Sequence, residues 1–316
     1  MFQLYKPRDF GLYFKDTFGF LRLHGKHFFK NYITVNGIFL LILVAMTFFF
    51  YLLYEDILTS YLVSQNTEAL TNYLNENSGT FAIYAILFVV VGITVGILNY
   101  AFVPIYFKLF EKHGGANFSS KQIADELFAN IGKLFLYILM TIIISIFVIP
   151  VIIIVAILMS ITLIGIPFLV FLAAFISLYY HSALMEYLKS DSKSAFECYS
   201  YSLKLCFQKF FPSIGAAGVF MILAFVFQSI FSIIQFIVMM VMGLTSLENP
   251  TTMSDTDTWS ISFVILIIIQ IISYLINYLV SAVLQMNQAL IYYSLKEERE
   301  NINTQSTIDQ IGIEQN

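Results

Sequence analysis

The sequence predicts an all-α protein, a polytopic six-helix transmembrane bundle with amphipathic helices at its cytoplasmic interface. Three observations carry that prediction. Of 316 residues, 59% are hydrophobic and only 11% charged, with a mean hydropathy of +0.81; a soluble domain carries about 25% charged residues, because charge keeps its surface in water. The deficit is gathered into long charge-free runs instead of being spread along the chain. Folding those runs back and forth as six spans places every Lys and Arg on one side. In lipid the backbone must satisfy its own hydrogen bonds, so such runs are helical; a β-barrel would have short alternating segments instead.

Taken in order, residues 9–29 carry Phe14, Phe18, Leu21 and Phe28 near helical spacing, with Lys15, Arg22 and Lys26 among them. That mixture suits a helix lying in the headgroup region. The charge-free run 31–54 yields a first span at 33–54, since about 20 apolar residues cross the hydrocarbon core. No small-residue cleavage pattern follows it, so this span is expected to remain in the mature protein. Run 77–107 yields the second span, 81–107, and Gly114-Gly115 is suited to ending its helix. Ser119 or Ser120 can then cap a short helix carrying Ile123, Leu127 and Ile131.

The run 134–185 holds 52 residues. As one straight helix it would measure roughly 78 Å, more than twice the core thickness. It must turn back, and Ser160, Thr162, Gly165 and Pro167 offer the place, combining polar residues, a helix breaker and a proline suited to a helix start. The spans become 134–160 and 167–188, with Pro150 a kink that neighbouring helices tolerate in lipid. Ser192 or Ser194 can cap another short helix carrying Phe196, Tyr199, Leu203 and Phe207. Runs 210–247 and 258–295 yield spans 213–243 and 260–290. Residues 260–295 would measure roughly 54 Å as one helix, so the sixth is expected to tilt or extend beyond the core. It would carry Tyr292 and Tyr293 to the cytoplasmic interface, where amphipathic rings are favoured. Residues 1–300 thus form a single membrane domain, and 301–316 a polar cytoplasmic tail.

Orientation follows from the basic residues. Lys6, Arg8, Lys15, Arg22, Lys26 and Lys30 precede the first span; Lys108, Lys112, Lys121 and Lys133 join spans two and three. Lys189, Lys193, Lys204 and Lys209 join spans four and five, and Lys296 and Arg299 follow the last. The opposite loops hold Glu55, Asp56, Glu68, Glu76, Glu248, Asp255 and Asp257, with no Lys or Arg. The positive-inside rule places both termini in the cytoplasm of a multi-pass protein, and the expected location is a bacterial inner membrane.

The chain also reads as three copies of one unit, an interfacial helix followed by a transmembrane hairpin. Residues 21–29, Leu-Arg-Leu-His-Gly-Lys-His-Phe-Phe, align with 203–211, Leu-Lys-Leu-Cys-Phe-Gln-Lys-Phe-Phe, and Gly132-Lys133-Leu134-Phe135 echoes Gly25-Lys26-His27-Phe28. Ala183-Leu184-Met185-Glu186, residues 192–197 (Ser-Lys-Ser-Ala-Phe-Glu) and Ser202-Leu203-Lys204-Leu205 resemble the stretch before the fifth span of a bacterial six-span family. That family is the glycerophosphodiester phosphodiesterase membrane domain. Its closing motif is similar to residues 290–299, Leu-Ile-Tyr-Tyr-Ser-Leu-Lys-Glu-Glu-Arg, although Ser294 stands where an acidic residue is common. The resemblance covers about residues 130–300. It implies the membrane fold and not the phosphodiesterase reaction, which belongs in that family to a separate soluble barrel for which this chain is expected to have no room.

Chemistry is sparse. No span interior holds Asp, Glu, Lys or Arg, and intramembrane ionisable residues are the usual markers of proton and ion pathways. Glu186 and His181 come closest, near the end of span four, where Glu186 is expected to snorkel or to meet Lys189 three residues on. His24 and His27 have no third ligand beside them, and zinc needs three or four. Cys198 and Cys206, eight apart on one helix, lie about 12 Å apart along the axis, too far for a disulfide, and read as small apolar fillers. No metal, cofactor or nucleic acid is expected.

One polar feature remains. Gln270, Ser273, Asn277, Ser281, Gln285 and Gln288 share a face of span six, and Gln228, Ser232 and Gln235 form a shorter match on span five. Lipid disfavours such a face, so it is expected to point inward, either as a hydrogen-bonded seam between helices or as a groove for a lipid headgroup. The seam fits a non-enzymatic scaffold or subunit of a membrane assembly. The groove fits a lipid or amphiphile transporter or binding protein. Membrane lipids, and a membrane-protein partner or self-association, are the expected partners.

Overall fold

The computed structural model describes residues 2–64, 67–162, 165–190, 192–248 and 256–303. Among them there is helix and no strand. The order is α1 (Phe10–Ser64), α2 (Thr67–Glu76), α3 (Ser78–Lys112), α4 (Ser120–Ala129), α5 (Ile131–Ile161), a 3-10 turn (Ile166–Phe168), α6 (Leu169–Lys189), α7 (Ala195–Gln208), α8 (Phe210–Glu248) and α9 (Thr256–Glu300). Six of these, α1, α3, α5, α6, α8 and α9, are long and apolar enough to cross a membrane, and they match the six expected spans. The turn between spans three and four falls as the sequence predicts: α5 ends at Ile161, and Pro167 lies in the first turn of the 3-10 segment. Pro150 lies inside α5, which continues through it.

The helix ends obey local rules. Gly114 has φ of 64°, and the N–H groups of Gly114 and Gly115 bond the carbonyls of Glu111 and Phe110 at 3.2 and 2.9 Å. This Schellman closure needs a left-handed residue, which glycine supplies without a Cβ penalty. Ser119 caps α4 and Ser194 caps α7, each in a reciprocal capping box with Gln122 and Glu197 respectively. A side-chain cap of this kind is worth about 1 kcal/mol. After each short helix a single residue, Asn130 or Lys209, departs from helical geometry before the next span begins.

The first copy differs. Asp9 caps α1 through a 2.8 Å bond from the Leu12 N–H, but no break separates 9–29 from the first span. Asn31, the residue best suited to start a new helix, bonds backward instead, its Nδ2 donating to the His27 carbonyl at 2.7 Å. Only part of the segment's apolar side is free. Tyr13, Thr17, Phe20, Phe28 and Tyr32 are fully buried along one face. Phe20 stacks on Phe107 with centroids 5.1 Å apart, Phe28 meets Tyr106 edge-on at 4.9 Å, and Tyr32 meets Phe102 at 5.0 Å. One face of the expected interfacial helix is therefore part of the core, held by aromatic pairs worth about 0.5–1.5 kcal/mol each beyond their buried area, while Phe18 and Leu23 stay exposed beside the basic residues.

The chain divides into two compact units. One holds Met1–Val35, Asn99–Ala224 and Val280–Asn316; the other holds Asn36–Leu98 and Phe225–Leu279. All 16 basic residues belong to the first. The second has none, and its exposed surface includes Ile86, Phe88, Val90, Phe227, Ile233 and Phe236. Water would penalise so much exposed apolar surface, whereas acyl chains meet it at no cost.

Candidate functional site

In the basic unit, the last two turns of α6 are enclosed on every side, from His181 through Leu188. Glu186, 1% exposed, is the charge at their centre. Lys193 donates to its Oε1 at 2.5 Å, Lys296 to its Oε2 at 2.7 Å, and the Tyr292 hydroxyl to Oε2 at 2.5 Å. A second carboxylate, Glu111 at the end of α3, accepts Lys189 at 2.5 Å, Tyr293 at 2.9 Å and Tyr5 at 2.9 Å. The Lys189 ammonium lies 4.4 Å from the Tyr293 ring centroid and 4.9 Å from that of Tyr5. The expected Glu186–Lys189 pair does not form. Lys189 crosses to α3, and Glu186 recruits lysines from beyond α6, because tertiary contact supplies closer partners than the next helical turn.

Residues 2–9 complete this region. Arg8 is buried, donating Nε to Asp16 at 2.8 Å and its two terminal nitrogens to the carbonyls of Leu4 and Gln3 at 2.8 Å. Its own backbone N–H donates to the Ser294 hydroxyl at 2.8 Å. Burial lowers the Arg8 guanidinium from its ordinary value, and Asp16 opposes that shift. Burial, reinforced by Glu111, raises the Tyr5 phenol. Arg8 and Glu186 thus each have an opposite charge and hydrogen bonds, the condition under which burial is tolerated. Tyr292 and Tyr293, expected as interface rings, are fully buried ligands of these carboxylates.

The polar stripe is divided. In the basic unit Gln285 and Gln288 are buried; Gln288 donates to Ser177 of α6 at 2.8 Å, and Gln285 to Ser281 on its own helix at 3.2 Å. Asn287, outside the stripe, is also buried and donates to Thr17 of α1 at 3.0 Å. In the second unit Gln235 of α8 donates to Gln270 of α9. Ser273 is half-buried, whereas Asn277, Gln228 and Ser232 are exposed, and the Ser232 hydroxyl bonds back to the Gln228 carbonyl at 3.2 Å. The expectation that Asn277 points inward therefore does not match its exposure. Serine can return its hydroxyl to its own helix, so a polar stripe need not be a buried one.

His181 is fully buried and meets the Tyr100 ring edge-on at 5.5 Å. His27 bridges Tyr106 at 2.9 Å and the Phe118 carbonyl at 2.8 Å. Among the described residues no group of three His, Cys, Asp or Glu side chains is placed to hold a metal. Sequence reading missed Glu111, Tyr5, Lys193 and Lys296 as partners, because each joins the cluster from a different segment. The available signal was a lysine or glutamate beside tyrosines at the end of several spans.

Six apolar helices long enough to cross a bilayer make this a multi-pass integral membrane protein. Comparison with protein-family models, characterised proteins and solved structures found no match.

Proposed function

We propose that the protein is a non-enzymatic scaffold or subunit of a bacterial inner-membrane assembly, with both termini in the cytoplasm. The carrying observation is that several polar groups of the spans are engaged across helices: Gln288 with Ser177, Asn287 with Thr17, Gln235 with Gln270, and Glu186 with two lysines and a tyrosine. A carrier needs polar groups that exchange partners with cargo, whereas seams of this kind fix helix positions. We further propose kinship with the membrane part of the glycerophosphodiester phosphodiesterase membrane domain family. The segments that carry that resemblance also hold Glu186, Lys193, Glu197, Tyr292 and Lys296, which build the charge cluster and the α7 cap.

The second reading is a lipid or amphiphile transporter or binding protein. It is favoured by the buried amide oxygens of Gln285, Asn287 and Gln288, which have no hydrogen-bond partner among the described residues. Extraction from native membranes in mild detergent, followed by native mass spectrometry, tests the two. The scaffold reading expects an assembly heavier than one chain, with lipid adducts unchanged by Asn277→Leu. A lone chain that moves labelled lipid across reconstituted vesicles, and loses that activity in Gln285→Leu, would overturn it.

A further inference from the structure

Helix α7 has two apolar faces. One, with Ala195, Cys198, Tyr199, Leu205 and Cys206, is buried within the protein. The other presents Phe196 at 64% exposure and Phe207 at 58%, with Leu203 exposed between them, and the stripe continues to Phe211 at 83%. Protein already covers the first face, so the second is free to enter a lipid surface, as interfacial helices do.

Beside this stripe lies an open cleft of about 640 Å³, lined by Leu203, Lys204, Phe207, Gln208, Glu298 and Arg299. The carboxylates around it are engaged. Glu298 pairs with Lys209, Glu300 accepts Tyr201 at 2.5 Å and lies 3.9 Å from Lys296, and Glu297 accepts the Asn303 N–H at 3.1 Å. Lys204 is exposed and has no ion pair among the described residues. Arg299 is exposed as well, its guanidinium 5.3 Å from the Tyr201 ring centroid and likewise without an ion pair among them. Two uncompensated cations therefore stand beside an apolar ledge.

We propose that this cleft seats the anionic headgroup of a membrane phospholipid, with Lys204 and Arg299 on the phosphodiester and the acyl chains along Leu203, Phe207 and Phe211. The charge and the apolar ledge are both required: a free anion has no use for the ledge, and a zwitterionic lipid sets its own fixed ammonium against the unpaired cations. Arg supplies a planar fork that matches phosphate oxygens, and Lys a mobile point charge. This site stands apart from the scaffold reading and from the stripe on α9.

Native mass spectrometry of the purified full chain with phosphatidylglycerol or phosphatidylcholine at matched concentrations tests it. The wild type should retain phosphatidylglycerol preferentially. Lys204→Gln/Arg299→Gln should cut that preference roughly 25-fold, from about five-fold per basic residue at an anionic surface, with an unchanged thermal midpoint. Lys204→Arg should keep the preference, and so should Lys121→Gln, which removes an exposed lysine of α4. An unaltered preference in the double variant overturns the assignment, as does an equal loss in Lys121→Gln. Displacement of the lipid by millimolar inorganic phosphate overturns it too, since the cleft would then read a free anion.

Discussion

Around Glu186, two ammonium groups and a phenol surround one carboxylate that water barely reaches. Removing one member of a buried pair leaves its partner uncompensated, at about 3–5 kcal/mol, whereas replacing both with apolar groups is far less costly. Glu186→Leu is expected to lower the thermal midpoint in detergent sharply, and Glu186→Leu/Lys296→Met to recover much of the loss. A single variant as stable as wild type would show the cluster to be incidental. The cysteines make a second residue-scale prediction. Burial pushes the Cys198 thiol up to about 11 and that of Cys206 up to about 12. At pH 8 the thiolate fraction is then about a thousandth or less. Maleimide should leave both unmodified in the folded protein and modify both in denaturing detergent; rapid labelling of the folded chain would contradict their burial. Sequence alone identified these thiols as fillers, because eight residues of helix separate them. It paired Glu186 with the wrong lysine, because it sees only neighbours along one helix.

At the scale of elements, helix ends were the most legible feature. Gly114-Gly115 and the Ser-x-x-Gln/Glu boxes at Ser119 and Ser194 act through bonds to residues three to five positions away. The uninterrupted α1 was not legible. Its continuity depends on Asn31 bonding backward and on an aromatic face that finds α3, a contact about 80 residues distant in sequence, as in the ring pair of Phe28 and Tyr106. Helix packing also explains Gly218 of α8: a Cβ there would lie 2.5 Å from the Phe171 ring of α6. Gly218→Ala is expected to destabilise by about 1–3 kcal/mol, the usual cost of overpacking. Adding Phe171→Leu should recover part of it, as read from thermal midpoints in a double-mutant cycle. Additive losses would mean that the two residues do not press on each other.

For the whole molecule, the strongest pattern is the gathering of every basic residue into one unit, while Glu68 and Glu76 belong to the other. Charged side chains near the membrane fix orientation, so both termini are expected on the cytoplasmic side. In spheroplasts, an impermeant thiol reagent should label Glu68→Cys and spare Ser306→Cys when each is placed in a chain lacking Cys198 and Cys206. Asp255, the other loop position expected to face outward, lies outside the described residues, as does Ser306. Labelling of Ser306→Cys from outside would invert the topology.

Hydropathy and charge determined the six spans, the return at Gly165–Pro167 and the segregation of lysines, because lipid acts on each helix separately and constrains it by length and composition. Tertiary structure decided which polar groups meet. Tyr292 and Tyr293 became ligands of Glu186 and Glu111 instead of interface rings, Gln288 found Ser177, and Asn277 stayed exposed. Those outcomes turn on differences of an ångström or two between helices remote in sequence. Hydrogen bonds and ion pairs fall off over that range, and a periodic pattern along one helix carries no information about it.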